Sequence, residues 1–200
     1  MRYRIFTKLY DYGISVTVYN NIINNDIATF IDTLTEKIID VYNIKIPIIN
    51  IKKVIKSIGG KIVYKDNYCE IADGNIVKTH DRKFNLLLPI FEKNNNNNLT
   101  IAYSLGHIFL HMGYRTNFSL WNNIVVNKQY KFKSLKQERQ AEYFALSLLM
   151  PKTIFLKVFC KYSNNNMVDM TEVANYFKVS INLARTRAYL LNLIDSLCLK

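Results

Sequence analysis

The sequence is poor in cysteine, glycine and proline, and it has no long hydrophobic run. Its three cysteines, Cys69, Cys160 and Cys198, lie far apart and form no Cys-x-x-Cys pair. This spacing argues against a disulfide framework or a cysteine-based metal site and indicates a reducing, cytoplasmic compartment. No apolar segment approaches the roughly 20 residues that a membrane helix needs, and the first residues lack the apolar block of a signal peptide. We therefore expect no contact with a membrane.

Acidic residues are also scarce, since 15 acidic residues face 27 basic ones and the net charge is +12. Such an excess favours a polyanion or an acidic protein surface as partner. An AT-biased coding sequence would produce the same lysine-rich and asparagine-rich composition without any partner, and composition alone does not separate the two interpretations. With 200 residues, half of them hydrophobic, the chain can form one compact domain, with or without a small appendage.

Periodicity along the chain predicts both strands and helices. The predicted strands lie at 61–66, 67–72 and 83–90, after a hairpin over 2–23. The predicted helices lie at 27–41, 51–58, 101–112, 134–150 and 152–160, followed by two more between 171 and 194. The predicted helix caps are Asn50, Thr100, Ser134, Asp169 and Ser180. Residues 113–133 show no clear period and are interpreted as an irregular insertion.

Three features of these elements carry expectations about packing. Apolar side chains recur every three or four residues along the first helix, so one stripe should face the core, namely Ile27, Phe30, Ile31, Leu34, Ile38 and Val41. Pro89 lacks an amide donor, so the strand 83–90 should lie at a sheet edge or end near that residue. Gly106 should permit close packing of the helix 101–112 against a neighbouring helix.

The segment TIAYSLGHIFLHMGY, residues 100–114, carries two histidines, His107 and His111, four residues apart. In a zinc-peptidase helix, two histidines at this spacing project from one face into a shared coordination sphere. A glutamate directly after the first histidine acts there as general base. No carboxylate lies in this segment. The residues therefore leave open whether it is an active site, the remnant of one, or a core helix with two histidines.

Four segments, in order, resemble the ImmA/IrrE family of zinc metallopeptidase-like regulatory proteins. The first is IPIINIKKVIKSIGGKIVYKD, similar to that family's entry helix and first strand. The second and third, LTIAYSLGHIFLH and ERQAEYFALSLLMP, are similar to its two site helices, and the fourth, VANYFKVSINLARTRAYLLNLI, to its closing segment. The resemblance covers residues 28–195. It implies an α/β (α+β) fold with a zincin-like core of several helices on a small β-sheet and a C-terminal helical segment.

The resemblance also implies where the family's zinc site would lie. Its first histidine ligand falls on Tyr103, and its catalytic glutamate falls on Ser104. The second histidine is retained as His107, and the glutamate ligand of the next helix is matched by Glu138. Tyrosine is a poor zinc ligand near neutral pH, because its phenol titrates near ~10, and serine cannot replace a carboxylate as base. We therefore expect a degenerate HExxH motif with no catalytic residue and no cofactor.

Two alternatives remain open for this site. A displaced zinc centre would use His107 and His111, again one turn apart, together with Glu138 or, one turn later, Glu142. This centre also lacks an adjacent base, because residue 108 is isoleucine. Without a metal, His107 would instead pack or hydrogen-bond against Glu138 across the two helices.

Members of the ImmA/IrrE family act on helix-turn-helix repressors that control mobile elements or stress responses. The resemblance thus implies a regulatory pseudoenzyme that binds such a repressor, of a phage or mobile element, without hydrolysing it. The first alternative is an active zinc endopeptidase with the displaced centre. The second is a basic nucleic-acid-binding protein with Arg185 and Arg187 as DNA contacts, although nucleic acid is expected to be the weaker ligand. The expected divisions are an N-terminal hairpin over 1–25, the core over 26–161 and a helix-turn-helix-like segment over 162–200.

Overall fold

Eight α-helices and a three-stranded sheet form the described part of the protein, which in this computed structural model comprises residues 23–66, 75–92, 97–131, 134–164 and 167–195. The helices are α1 (Asn25–Val41), α2 (Ile51–Ile58), α3 (Asn98–Gly106), α4 (Phe118–Asn122), α5 (Leu135–Leu149), α6 (Lys152–Lys161), α7 (Met170–Phe177) and α8 (Ile181–Leu190). The strands are β1 (Gly60–Lys65), β2 (Ile76–His80) and β3 (Lys83–Pro89), with a separate pair of β4 (Ser163–Asn164) and β5 (Met167–Val168). The mixed α/β class is confirmed. The predicted N-terminal hairpin, apart from its last residue, and the strand predicted at 67–72 lie outside the described residues.

Strand β3 is the central strand of the sheet, with β1 parallel on one side and β2 antiparallel on the other. Its side chains Phe84, Leu86 and Leu88 are buried, as a central strand requires. The strand ends at Pro89 because proline has no amide hydrogen to continue the ladder. Of the two outcomes predicted for Pro89, the strand end is therefore confirmed and the edge position is wrong. Strand β2 was not predicted, because its five residues IVKTH are too short and too polar to give a clear pattern.

The described part of the insertion, residues 113–131, is held mainly by contacts with β2 and the following turn. The amides of Asn127 and Tyr130 donate to the carbonyls of Lys78 and Ile76, each at 2.8 Å. The buried indole of Trp121 donates to the carbonyl of Asp81 at 2.5 Å. The insertion also contains the short helix α4. It showed no period because only a few of its side chains face the core.

Four of the five predicted helix caps are confirmed. Each accepts a hydrogen bond from a backbone amide in the first turn of its helix, and these caps are Asn50, Ser134, Asp169 and Ser180. The prediction for Thr100 was wrong, because α3 already begins at Asn98. The side chain of Asn98 accepts from the Ile51 amide at 3.3 Å and donates to the Ile48 carbonyl at 3.0 Å. The start of α3 is thus tied to the start of α2.

Helices α3 and α5 pack side by side, as the order of the resembling segments predicts. A Cβ atom added at Gly106 would lie 2.8 Å from Cα of Ala141 and 2.9 Å from its carbonyl oxygen. These backbone atoms cannot move without shifting α5. The close-packing role predicted for Gly106 is therefore confirmed, and it sets the distance between the two helices.

Substitution of Gly106 by alanine is expected to cost about 3 kcal/mol through overpacking, the upper end of the usual range, because the added Cβ would meet backbone atoms of α5. Alanine's better helix propensity, worth about 1 kcal/mol, reduces the net destabilisation to about 2 kcal/mol. Urea unfolding followed by circular dichroism measures the difference. If Gly106→Ala were as stable as the wild type, the two helices would not be in backbone contact at this position.

Helix α1 does not bury the predicted stripe as a whole. Ile31 and Ile38 are buried, but Phe30 and Val41 are 61% and 77% exposed. Instead, the polar residues Asp32 and Thr35 lie on the buried face. The apolar pattern predicted the wrong buried face, because such a pattern does not indicate a buried carboxylate. Asp32 is buried since it pairs with Arg187 of α8 at 2.8 Å.

No single helix within the described ranges is long and apolar enough to span a membrane. Helices α5 and α6 reach that length and hydropathy only when taken together, and they are bent by 58° relative to each other.

Candidate functional site

The candidate site lies where α3 and the turn that follows it face α5. Residues His107–His111 form a single π-helical turn, in which the Met112 amide donates to the His107 carbonyl at 2.9 Å. Such turns frequently mark functional sites in helices. Along this stretch the rings of Tyr103 and His107 meet edge to face, with centroids 4.8 Å apart, and those of His107 and His111 lie 5.0 Å apart.

The phenol of Tyr103 bonds to Glu138, the residue that the resemblance matches to the family's glutamate ligand. Its hydroxyl donates a short hydrogen bond to Oε2 of Glu138 on the facing helix. Burial, reinforced by the Glu138 charge, raises the pKa of Tyr103 well above its ordinary value. The phenol therefore keeps its proton at neutral pH and acts as a donor to Glu138. Glu138 thus has a protein hydrogen-bond donor on the facing helix.

The two histidines are paired with each other. Nδ1 of His111 lies 3.0 Å from Nδ1 of His107, and Nε2 of His111 lies 3.1 Å from Oε1 of Gln140. Because an amide oxygen only accepts, His111 carries its proton on Nε2 and accepts through Nδ1. His107 must then donate from Nδ1. Burial lowers the pKa of both imidazoles, and the neighbouring His111 lowers that of His107 further, so both rings are neutral.

Ser104, at the family's glutamate position, has a structural role. The side chain is fully buried. Its hydroxyl donates to the Thr100 carbonyl at 3.0 Å and accepts from the Asn75 side-chain amide at 2.8 Å. This links α3 to the residue directly before β2. A hydroxyl held in this way, without a carboxylate, provides no base for activating water.

Glu142, the variant ligand of the displaced centre, is engaged on its own helix. It is buried and forms an ion pair with Arg139 at 2.7 Å. Burial raises the pKa of Glu142, and the Arg139 charge partly reverses that effect. The charge of the Glu142 carboxylate is thus compensated by a residue of its own helix.

The family resemblance implies a zinc ion, and the side chains present do not fit one. A catalytic zinc site needs three protein ligands around one point. Within the described ranges, no group of three or more His, Cys, Asp or Glu side chains could hold a metal ion. Glu138 accepts from the phenol of Tyr103, and the Nδ1 atoms of the two histidines face each other. We therefore derive no catalytic step through a metal.

The histidine pair predicts a loss of stability in acid. Each imidazole has a lower pKa in the folded state than its unfolded value near ~6.5. When the pH falls below this unfolded-state pKa, the unfolded chain binds protons that the folded chain does not bind. The free energy of unfolding therefore decreases as the pH drops from about 7 to 5. The slope should reach up to ~1.4 kcal/mol per pH unit for each histidine.

The measurement is urea unfolding at several pH values with a chelator present. The slope should shrink in a double variant, His107→Leu with His111→Leu, and persist in the control His80→Leu, whose residue is exposed. Glu142, with its raised pKa, contributes in the opposite direction, but it is common to all three proteins. Equal slopes in all three would contradict neutral buried imidazoles.

The two arginines predicted as DNA contacts have different positions. Arg187 is fully buried, and its guanidinium bonds to Asp32, Ser147 and the Met150 carbonyl. In this position it cannot reach nucleic acid, which corrects the prediction for that residue. Arg185 is partly exposed on the same helix.

Two residues that hold the site together, Gln140 and Asn75, were not predicted from the sequence. Glu138 was predicted to lie opposite His107, and in the structure it accepts a hydrogen bond from Tyr103. One signal was present: a tyrosine in a ligand position, facing a retained glutamate, can form a hydrogen bond in place of a metal bond. No local pattern pointed to Asn75, which lies 29 residues from Ser104 in sequence.

A comparison with known protein families assigns the region that contains this site. Residues 92–189 match the family model described as the IrrE N-terminal-like domain. That span includes α3, the histidine turn and α5, together with the second and third resembling segments and most of the fourth. Comparisons with curated proteins and with solved structures gave no significant match. The resemblance seen in the sequence is confirmed over this span: residues 92–189 form an IrrE N-terminal-like domain, the metallopeptidase-like domain of the ImmA/IrrE family.

Proposed function

We propose that this protein is a regulatory pseudoenzyme, which uses its ImmA/IrrE-type domain to bind a protein partner without cleaving it. The partner class is a helix-turn-helix repressor of a phage or mobile element, because such repressors are the targets of the family. Masking the repressor or competing for it requires a binding surface and no hydrolysis.

The observation that carries the proposal is the hydrogen bond from Tyr103 to Glu138. This bond gives the retained Glu138 carboxylate a hydrogen-bond donor in place of a metal ion. It also links α3 to α5, as a shared zinc ion would. Ser104, at the position of the family's base, is buried and bonded on both sides. These contacts support the proposal, because they join the two helices while no carboxylate stands at the position of the family's base.

Zinc titration of the native, untagged protein tests this proposal. We expect no stoichiometric zinc after purification and no tight binding by isothermal calorimetry. One equivalent of tightly bound zinc, lost in His107→Ala, would favour the displaced endopeptidase centre at His107, His111 and Glu138. Cleavage of a repressor by the zinc-loaded protein would then overturn the proposal.

The nucleic-acid alternative predicts a different result. Only six of the 27 basic residues lie between Glu92 and Glu138, and the others are spread along the chain. Binding to random-sequence duplex should therefore be weak at about 50 mM salt and nearly absent at about 200 mM. Fluorescence anisotropy with labelled duplex measures it. Tight binding at the higher salt, abolished by Arg185→Ala, would identify the last helices as a DNA reader. Arg187 is not used in this test, because its removal would unbalance the buried Asp32.

A further inference from the structure

Exposed apolar side chains are concentrated in the insertion. Thirteen large hydrophobic residues are exposed in the described part of the chain, and four of them lie within residues 118–126. They are Phe118, Leu120, Val125 and Val126, with Phe118 79% and Val125 62% exposed. Clustered apolar exposure of this kind marks an interaction site more often than single exposed residues do.

Buried contacts anchor this segment on the protein. Between the exposed residues, Trp121 is buried, and its carbonyl accepts from the Lys78 ammonium at 2.9 Å. The same ammonium lies 5.1 Å from the centre of the indole ring. On the far side, Asn127 is bonded to the edge of β2. The apolar side chains are therefore presented by a segment fixed at both ends, which lowers the entropy cost of binding.

The segment also borders the histidine turn. The Thr116 hydroxyl donates to the Phe109 carbonyl at 2.7 Å, and the Tyr130 hydroxyl donates to the His111 carbonyl at 3.3 Å. A partner seated on the segment would thus lie next to the candidate site.

Along the chain, the segment and its flanks carry charge of one sign, and in space the exposed Asp81 of the turn after β2 lies against Trp121. No acidic residue occurs between Glu92 and Glu138, whereas six basic residues do: Lys93, Arg115, Lys128, Lys131, Lys133 and Lys136. Of these, Arg115, Lys128, Lys131 and Lys136 are exposed. An apolar centre with a charged rim is the usual anatomy of a protein interface, and a basic rim selects an acidic partner.

We propose that this basic-rimmed apolar face, defined by Phe118, Leu120, Val125 and Val126 with Arg115 and Lys128, docks an acidic protein segment that carries apolar side chains. The proposal rests on the proposed function in taking the partner to be a protein. A second copy of this chain is disfavoured, because it would bring the same positive charge to the contact. Nucleic acid would match the rim but leave the apolar centre unpaired.

Fluorescence anisotropy with defined probes tests the face. The first probe is a short labelled peptide in which Glu alternates with Leu, and the second replaces each Leu by Ser. Labelled duplex DNA and anionic lipid vesicles are the other two probes. We expect binding of the Glu–Leu peptide that is at least about tenfold tighter than that of the Glu–Ser peptide, since apolar anchors dominate interfaces. No binding of the Glu–Leu peptide at about 100 µM would overturn the proposal.

Two pairs of variants locate the site. Phe118→Ser with Val125→Ser should weaken binding of the Glu–Leu peptide about tenfold or more. The control Met167→Ser with Ile181→Ser, exposed on β5 and α8, should not change it. Arg115→Gln with Lys128→Gln should weaken binding of the peptide in a salt-dependent way, and the control Lys152→Gln with Lys157→Gln should not.

An equal loss of peptide affinity in the two apolar double variants would overturn the proposal. Tighter binding of duplex or vesicles than of the Glu–Leu peptide, lost in Arg115→Gln with Lys128→Gln, would also do so. None of these outcomes depends on zinc, so a failure here is distinct from a failure of the pseudoenzyme proposal.

Discussion

Replacing Tyr103 by histidine and Ser104 by glutamate is expected to create a tight zinc site in this protein. The first change removes the phenol that bonds to Glu138 and supplies an imidazole four residues before His107. Three ligands would then face one point, namely the introduced imidazole, His107 and Glu138, and the second change would add the base. Structural zinc is worth about 10 kcal/mol or more in small domains, so even a partly formed site should bind measurably.

The four combinations of these two changes separate ligand from base. Tyr103→His alone should bind zinc without gaining hydrolysis, and Ser104→Glu alone should gain neither. Ser104 is fully buried, so a glutamate there can lower stability by about 1–3 kcal/mol through overpacking. Tyr103→His alone avoids that cost and keeps the test informative if the double variant unfolds. Calorimetry measures affinity, and an affinity of Tyr103→His equal to the wild type's would contradict the proposed geometry.

Substituting Arg187 by alanine is expected to destabilise the protein by about 3–5 kcal/mol, because it leaves a buried carboxylate without its counter-charge. The guanidinium donates to Asp32 at 2.8 Å, to Ser147 at 3.1 Å and to the Met150 carbonyl at 3.0 Å. Tyr143 donates to the other oxygen of Asp32 at 3.1 Å, and burial raises the pKa of Tyr143 to about 12. This network joins α1, α5 and α8, so its loss should unfold all three together.

Denaturant unfolding with Arg185→Ala as control measures the effect. Arg185 lies on the same helix and is partly exposed, so its removal should cost well under half as much. Asp32→Asn combined with Arg187→Met should recover part of the loss, because both buried charges are then removed. A cost below about 1 kcal/mol for Arg187→Ala, typical of exposed ion pairs, would show that the pair is solvated.

Most of the helices, and four of their five predicted caps, could be predicted from the sequence because their causes are local. Ser134, Asp169 and Ser180 bond to amides two or three residues away, and the burial of Ile51, Val54, Ile55 and Ile58 follows their helical spacing. Strand β2 was missed because its partner residues come from β3 and from the insertion. The exposed faces of α1 were misassigned for a related reason, since Asp32 is buried by a residue 155 positions away.

In the candidate site, too, some features could be predicted from the sequence and others could not. The sequence was sufficient to predict three features, because each depends only on position within two helices. They are the spacing of His107 and His111, the loss of the glutamate at Ser104 and the retained Glu138. The hydrogen bond from Tyr103 to Glu138 was not predicted, and neither was the pairing of His111 with Gln140. Both depend on the distance between α3 and α5, which the contact of Gly106 with Ala141 sets.

The sequence by itself determined the domain family, most of the helix starts and the absence of a carboxylate beside the histidines, because each depends on short segments of neighbouring residues. Only the tertiary structure decided which polar groups satisfy one another. A buried carboxylate or imidazole must find a partner at hydrogen-bond distance, and in this protein the partners of Asp32, Glu138 and Ser104 come from other elements. Their identity follows from how the elements pack, which no local pattern records.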